Sequence, residues 1–274
     1  GPTFTIRKFT KIPWTPTNLI QMRTATPQIF AYLWILIEHG LNVMIVGGTG
    51  SGKTTLLNSL TFFIPPQARI VSIEDTRELN LEHDNWLPSV AREGVGLANL
   101  VGQKYGEVSL FDLLKESFRQ NPDYVIVGEV RGKEAYVLFQ GMASGHSSFG
   151  TMHADSVDTM IKRLQTPPIS LSASLVEAMD VVLVMAHGKI RGEEARRIRE
   201  VDEIIKVQDS GTFSVNRPFV WDPTKDMYAF SANSHAFNKI ITRTGTSLND
   251  LTKEFNIRTQ LLINMYNGGI FDPK

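Results

Sequence analysis

The sequence has no cysteine among its 274 residues, which excludes disulfide bonds, thiolate zinc sites and cysteine nucleophiles. It also lacks an excess of charge of either sign, because 28 lysines and arginines balance 28 aspartates and glutamates. No overall field therefore draws the protein to nucleic acid or to an acidic membrane surface. Its longest strongly apolar run, residues 29–37, is far shorter than the roughly 20 residues that a membrane-spanning helix needs. We therefore expect a water-soluble chain.

The residues that are present can build a sizeable core, since 42% of them are hydrophobic. The start of the chain shows no charged-then-apolar signal pattern, and Gly1-Pro2 is typical of the remnant of a cleaved expression tag. We therefore expect a fragment of a longer protein that holds one large domain or two unequal domains.

Apolar strands alternate with helical patterns through the first 186 residues. One helix is predicted to begin with Thr26 as N-cap and Pro27 as its first residue, and to stop at Gly40. Strands, mostly continuous apolar runs, are predicted at residues 41–46, 69–73, 124–128, 147–152 and 181–186. Helices are predicted between them at residues 53–63, 111–119, 133–143, 157–165 and 172–179. This alternation predicts an α/β fold with a parallel, doubly wound sheet.

The pattern changes after residue 188. Residues 195–207 combine a near-helical spacing of apolar residues with many β-branched ones, so the type of this element stays open. Residues 219–230 predict a hairpin around a turn that contains proline, and residues 248–267 predict a capped helix. The sequence therefore predicts a smaller C-terminal α+β subdomain over residues 188–274.

Residues 47–55 combine glycines, one lysine and two threonines between a predicted strand and a predicted helix. Gly47, four further residues and then Gly52, Lys53 and Thr54 satisfy the Walker A pattern. The glycines let successive backbone N–H groups surround an anion, and the following helix adds its positive N-terminal end. Lys53 is expected to reach the terminal phosphates, and Thr54 to bind Mg²⁺. The predicted nucleotide site comprises Gly47, Gly48, Thr49, Gly50, Ser51, Gly52, Lys53, Thr54 and Thr55.

Polar residues also follow three other strands at the same edge of the predicted sheet. Ligands of an open parallel sheet lie just beyond the carboxyl ends of its strands, so these residues should meet around the phosphates. There they would position water and stabilise the charge of the γ-phosphate during phosphoryl transfer. The residues are Glu74 and Arg77, Glu129 and Arg131, and His153.

Three of these side chains suggest individual roles. Glu129 takes the place of the glutamate that ends a Walker B strand, where it can polarise water and support Mg²⁺ through water. The residue before it is Gly128 and not the usual aspartate, so Mg²⁺ would rest mainly on Thr54, phosphate oxygens and water. Glu74 is the second candidate base, and His153 is a candidate sensor of the γ-phosphate.

Simpler structural explanations stay open for several of them. Acidic residues at strand ends often cap the next helix, which applies to Glu74 more than to Glu129. Arg77 and Arg131 have neighbouring carboxylates as alternative partners. His146, beside a glycine and two serines, fits a turn or a supporting position better than direct contact with phosphate.

With these motifs in place, the sequence resembles the secretion ATPase superfamily that powers type II secretion, type IV pilus assembly and type IV secretion, most closely its archaeal branch. The stretches GGTGSGKTTLLNSL, RIVSIEDTREL, RQNPDYVIVGEVRG and GHSSFGTMHADS are similar to the family's Walker A, Asp box, atypical Walker B and His box, in that order. The resemblance implies a RecA-like P-loop NTPase core at residues 26–187. Residues 1–25 would then hold the tag remnant, the end of an N-terminal domain and a linker.

The resemblance also implies roles and partners. It assigns ATP and Mg²⁺ binding to residues 50–55, a catalytic position to Glu74, the Walker B glutamate to Glu129, and the His box to His146 and His153. Family members form hexameric rings in which arginines of the N-terminal domain complete the site, and Arg7 is the one candidate here. Some bacterial members carry a four-cysteine zinc module, which this cysteine-free chain cannot form.

The family implies an ATP-hydrolysing motor that works on a membrane-embedded platform protein, located in the cytoplasm at the inner face of the membrane. The alternative is a nucleic-acid-translocating ATPase of the RecA type, for which the basic residues of 189–200 are the best support. Three glutamates interleave with them, which favours a solvated face and makes nucleic acid an unexpected partner. A small-molecule kinase would need an arginine-rich lid, which the sequence does not show, and binding without turnover is the remaining alternative.

Overall fold

A computed structural model describes residues 1–4, 6, 12–96, 104–190, 192–231 and 233–272 of the chain. In these residues the chain forms nine strands and nine α-helices. The strands are β1 (Val43–Gly47), β2 (Ile70–Glu74), β3 (Trp86–Val90), β4 (Tyr124–Val127), β5 (Ser147–Met152), β6 (Val181–Ile190), β7 (Glu193–Val207), β8 (Phe213–Asp222) and β9 (Met227–Phe230). The helices are α1 (Pro16–Gln21), α2 (Pro27–Glu38), α3 (Lys53–Leu60), α4 (Leu110–Ser117), α5 (Glu134–Ala143), α6 (Val157–Gln165), α7 (Ala173–Val176), α8 (His235–Thr244) and α9 (Leu248–Asn267).

All nine strands join one sheet in the order β3-β2-β4-β5-β1-β6-β7-β8-β9. The six strands from β3 to β6 pair in parallel, and the pairs from β6 onward are antiparallel. Strand β1, which leads into the glycine-rich loop, lies between β5 and β6. The prediction of a mainly parallel α/β sheet is therefore confirmed.

Helices cover both faces of the parallel part. In β1, Val43 and Ile45 belong to one core with residues of α2, α3, α8 and α9. Met44 and Val46 belong to a second core with residues of α4, α5, α6 and α7. Successive residues of a strand point to opposite faces, so a strand buried on both faces must be apolar throughout. The doubly wound arrangement is therefore confirmed as well.

Strand β7 resolves the segment whose type stayed open. Three of its apolar residues, Ile198, Val201 and Ile204, follow at helical spacing, yet the segment is extended and pairs with both β6 and β8. The pairing register shifts between Val201 and Glu203, and irregularities of this kind insert a residue and reset the alternation of side chains. The pattern of a regular strand is therefore hidden in the sequence.

The sheet continues through residue 188, because β6 pairs with β7 along ten residue positions. The division into a core of 26–187 and a subdomain of 188–274 stays a prediction. The predicted hairpin at 219–230 forms from β8 and β9, and the helix at 248–267 forms as expected, with Ser247 as its N-cap. Among the described residues, no helix combines the length and the apolar character that crossing a membrane requires.

Candidate functional site

The glycine-rich loop connects β1 to α3 at the carboxyl edge of the sheet. Gly50 and Gly52 have φ angles of +72° and +91°, a left-handed conformation that glycine adopts without strain. Helix α3 begins directly afterwards at Lys53, so its N-terminal N–H groups face the loop. The Lys53 ammonium donates to the carbonyl oxygens of Gly47 and Gly48, at 3.0 and 2.8 Å. Burial lowers the pKa of Lys53, and the nearby charges of Glu129 and Asp155 oppose that shift.

The four strand ends converge on a single cleft of about 840 Å³. This volume lies within the usual range for small-molecule sites. Six of the nine predicted loop residues line it, while Gly47, Gly48 and Ser51 are not among the lining residues. The residues from the other three strand ends include Glu74, Asp75, Thr76, Gly128, Glu129, Val130, Arg131, Thr151 and His153.

Glu129 and Arg131, which both line the cleft, form an ion pair with 2.6 Å between a carboxylate oxygen and Nη2. Arg131 also lies 3.9 Å from the carboxylate of Asp75. Burial alone would raise the pKa of Glu129, but the hydrogen bond and charge of Arg131, together with Lys53 and His153, outweigh it and lower that pKa. Glu129 is therefore held as a carboxylate next to the loop.

Glu74 lies deeper, with 2% of its surface exposed. Its Oε1 accepts hydrogen bonds from the backbone N–H groups of Glu78 and Leu79, both at 2.9 Å. Its Oε2 is buried and has no hydrogen-bond partner in the described part of the chain. Burial raises the pKa of Glu74 against the lowering effect of the two backbone hydrogen bonds. One carboxylate oxygen is thus anchored and the other is left unpaired, which suits a base that must take up a proton.

The packing of Glu74 explains the unusual residue before Glu129. A Cβ atom at Gly128 would lie 3.0 Å from Cγ of Glu74, closer than side chains normally approach. Gly128 therefore leaves the space that the Glu74 side chain fills. An aspartate at position 128 and a glutamate at position 74 would compete for it.

The two histidines of the His box lie at opposite ends of β5. Nε2 of His153 is 3.2 Å from the hydroxyl of Thr49 in the loop, and the backbone carbonyl of His153 accepts from Arg163. His146 precedes the first residue of β5 and packs edge-on against Phe118. A strand rises about 3.3 Å per residue, so the seven steps from His146 to His153 separate the two histidines by about 23 Å. His146 therefore lies away from the phosphate loop.

Arg77 is not among the residues that line the cleft, because its guanidinium lies over the ring of Trp86, 5.0 Å from the centroid. Arg7 lies outside the described residues. Sequence reasoning missed Arg163 on α6 and Arg196 on β7, which both line the cleft. Arg196 belongs to the basic run of residues 189–200, which the sequence pattern indicates only as a possible surface for nucleic acid. No feature of the neighbouring sequence predicts that it contacts the phosphate loop.

The cleft suits a polyphosphate. Lys53, Arg131, Arg163 and Arg196 supply positive charge, and the start of α3 supplies N–H groups. Among the described residues, no three His, Asp or Glu side chains are grouped to hold a metal ion. The residues nevertheless fit an Mg²⁺ ion whose ligands are one hydroxyl, phosphate oxygens and water. Thr54 would supply the hydroxyl, and Glu129 would bind the ion through water.

Comparison with known proteins gives a consistent result. A family model described as "Type II/IV secretion system protein" matches residues 1–214. An uncharacterized protein of Methanocaldococcus jannaschii is 39% identical over 254 residues, which make up 91% of this chain and 91% of that protein. The type IV secretion system protein PtlH of Bordetella pertussis is 37% identical over 187 residues, or 62% of this chain and 52% of that protein.

Among solved structures, the chain is similar to the VirB11 ATPase from the Brucella suis type IV secretion system in complex with sulphate. The identity is 28%, the TM-score is 0.51, and the match covers 63% of this chain and 51% of that one. The chain thus spans about half the length of PtlH and of VirB11, and nearly all of the Methanocaldococcus relative.

Proposed function

The chain belongs to the type II/IV secretion system protein family, and we propose that it is an ATP-hydrolysing motor for protein secretion or for the assembly of pilus-like filaments. One observation carries the proposal. The phosphate loop, Glu74, Glu129 and His153 come from four separate strand ends and meet in one cleft. The name of VirB11, an ATPase of a type IV secretion system, supports the same reading.

The proposed chemistry needs positioning more than covalent steps. The loop N–H groups and Lys53 would hold the phosphates, and Thr54 with Glu129 would support Mg²⁺ through water. Mg²⁺, when bound, neutralises charge on the phosphate oxygens. Glu74, with its raised pKa and its unpaired oxygen, is a candidate base for the attacking water, and Glu129 is the second. His153 would report the presence of the γ-phosphate to the loop through Thr49.

Assembly and location follow from the family as proposals. We expect a homo-hexameric ring in which a further domain contributes arginines to each site, at the inner face of the cytoplasmic membrane. A platform protein in that membrane would receive the motion. The absence of a membrane-spanning helix among the described residues is compatible with a peripheral arrangement.

The alternative of a nucleic-acid translocase loses its main support. In the basic run, Arg197 is buried in an ion pair with Asp226, Arg199 pairs with Glu200, and Arg196 contacts the phosphate loop. These side chains are therefore not a free positive surface. DNA binding by the purified chain that weakens steeply with added salt would restore this alternative.

The test is nucleotide binding and phosphate release by the purified chain, with Lys53→Ala as the key variant. We expect ATP to bind in the presence of Mg²⁺, and Lys53→Ala to abolish tight binding. The matched control is Lys189→Ala, which removes one exposed lysine outside the cleft and should leave binding unchanged. A folded wild-type chain that binds no ATP would overturn the proposal. Phosphate transfer to a small acceptor in place of water would indicate a kinase.

A further inference from the structure

Arg196 of β7 holds the tip of the phosphate loop. Its Nε donates to the carbonyl oxygen of Gly50 at 2.8 Å. Its Cδ lies 3.2 Å from the place that a Cβ atom at Gly52 would occupy, so the arginine packs along the loop. It also lines the cleft. The contact joins residues 146 positions apart in the chain, and only the folding of the antiparallel strands brings them together.

The arginine approaches the loop from the side opposite to the proposed chemistry. In the sheet, β5 and β4 lie on one side of β1, and β6 and β7 lie on the other. Glu129 and His153 follow β4 and β5, and His153 contacts the loop at Thr49. Arg196 comes from β7 and contacts the loop one residue further on, at Gly50. The loop tip is therefore held from both sides by different strands.

The backbone of Arg196 is firmly anchored. The next residue, Arg197, points to the other face of the sheet and forms two hydrogen bonds with the carboxylate of Asp226, at 2.8 and 3.0 Å. The N–H group of Ile198 donates to the carbonyl oxygen of Thr24 at 2.8 Å. These contacts fix the strand, so the Arg196 side chain starts from a rigid position when it reaches the loop.

The guanidinium of Arg196 has two nitrogens that can donate to a ligand. Nε is used by Gly50, and the two terminal nitrogens have no hydrogen-bond partner among the described residues. An exposed guanidinium with two free donors at the edge of a phosphate cleft fits a phosphate oxygen, which it binds with charge-assisted hydrogen bonds.

We propose that Arg196 is a positioning residue that fixes the phosphate-loop tip and binds the nucleotide on the side away from its terminal phosphate. This inference rests on the proposed function. The terminal phosphate faces Glu129 and His153, so Arg196 contacts a part that ATP and ADP share. It therefore contributes equally to the affinity for both nucleotides.

The test compares dissociation constants for ADP and for a non-hydrolysable ATP analogue, measured by calorimetry. Arg196→Ala should weaken both by about tenfold, the loss expected for one hydrogen bond to a charged group. Arg196→Lys keeps the charge but cannot hold Gly50 and the ligand together, so it should fall between alanine and wild type. Lys189→Ala, an equal loss of charge on the neighbouring strand, should bind like the wild type.

Two results would overturn the inference. Equal affinities for Arg196→Ala and Lys189→Ala would show that the arginine contributes nothing. A loss confined to the ATP analogue would place Arg196 at the terminal phosphate. If alanine prevents folding, as checked by circular dichroism, the lysine variant provides the same comparison. A wild-type chain that binds neither nucleotide would refute the proposed function itself, whereas normal wild-type binding with an unaffected Arg196→Ala refutes this inference alone.

Discussion

Replacing Glu74 by glutamine and by alanine separates the two roles that its carboxylate offers. Oε1 accepts from two backbone N–H groups of the loop that follows β2, and Oε2 is buried beside the cleft without a partner. Glutamine keeps an oxygen that can accept from these two N–H groups, but it cannot act as a base. Alanine removes both functions. The two variants should therefore differ in stability and agree in lost turnover.

The size of the stability difference follows from the contacts. Alanine leaves the N–H groups of Glu78 and Leu79 without the acceptor that they share. The amide of Leu79 is in a buried hydrogen bond, and an unsatisfied buried donor costs about 1–3 kcal/mol. The other amide is partly buried, and water can replace part of its loss. We expect Glu74→Ala to lower the free energy of unfolding by about 2–3 kcal/mol, and Glu74→Gln by less than about 1 kcal/mol.

The dependence on pH adds a second signature. Burial raises the pKa of Glu74, so its contribution to stability is complete below its ordinary pKa and is lost as the pH rises through the folded-state value. Glutamine does not titrate. The stability of Glu74→Gln relative to the wild type should therefore increase as the pH rises through that range.

The assay combines denaturant unfolding followed by circular dichroism with phosphate release. At neutral pH, Glu74→Gln should unfold within about 1 kcal/mol of the wild type, yet lose about a hundredfold or more in turnover, the usual contribution of a general base. Equal free energies of unfolding for the alanine and glutamine variants would show that Glu74 does not anchor the loop that follows β2. Unchanged turnover in a folded Glu74→Gln variant would remove Glu74 from the chemistry.

Three further predictions follow from the same cleft and its surroundings. Glu129→Gln should keep ATP binding but largely stop phosphate release, by about a hundredfold or more, and undiminished release would remove Glu129 from the reaction. Gly128→Ala should lower the free energy of unfolding by about 1–3 kcal/mol because the new Cβ meets Glu74 at 3.0 Å. Gly188→Ala, with no neighbour within 4 Å of its new Cβ, is the control, and equal stability of the two variants would contradict the crowding. Burial raises the pKa of Asp202 from 3.8 to about 6, a difference worth roughly 3 kcal/mol, so wild-type stability should fall relative to Asp202→Asn as the pH rises through this range. If the difference in free energy of unfolding between wild type and Asp202→Asn stayed constant across this pH range, the raised pKa of Asp202 would be refuted.

Local patterns predicted most of the parallel core. The strands at 41–46 and 124–128 and the helix at 157–165 match β1, β4 and α6 closely, because each has a long apolar pattern or a capping residue of its own. Three elements were missed. Strand β3 is half-exposed and contains Pro88, which suits an edge strand but weakens its pattern. The short helix α1 has too few residues to show a period.

Helix α8 was missed as well. Its first N–H groups, on His235 and Ala236, donate to the carboxylate of Glu203, which is fully buried on β7. The hydroxyl of Tyr32 on α2 donates to the same carboxylate. The start of the helix is therefore stabilised by partners from two other elements. Ser234, which accepts from the N–H group of Phe237, and Gly245 at the C-terminal end are nevertheless local helix signals that the sequence analysis did not use.

The amino-acid sequence by itself determined the phosphate loop, the alternation of strands and helices, and the placement of Glu74, Glu129 and His153 at strand ends. These features depend on neighbours in the chain and on one general rule for parallel sheets. Only the tertiary structure decided that Arg196 reaches the loop, that Arg77 turns to Trp86, and that Gly128 makes room for Glu74. These contacts join residues that are not neighbours in the chain, and their distances are set by how strands and loops pack, which no local pattern specifies.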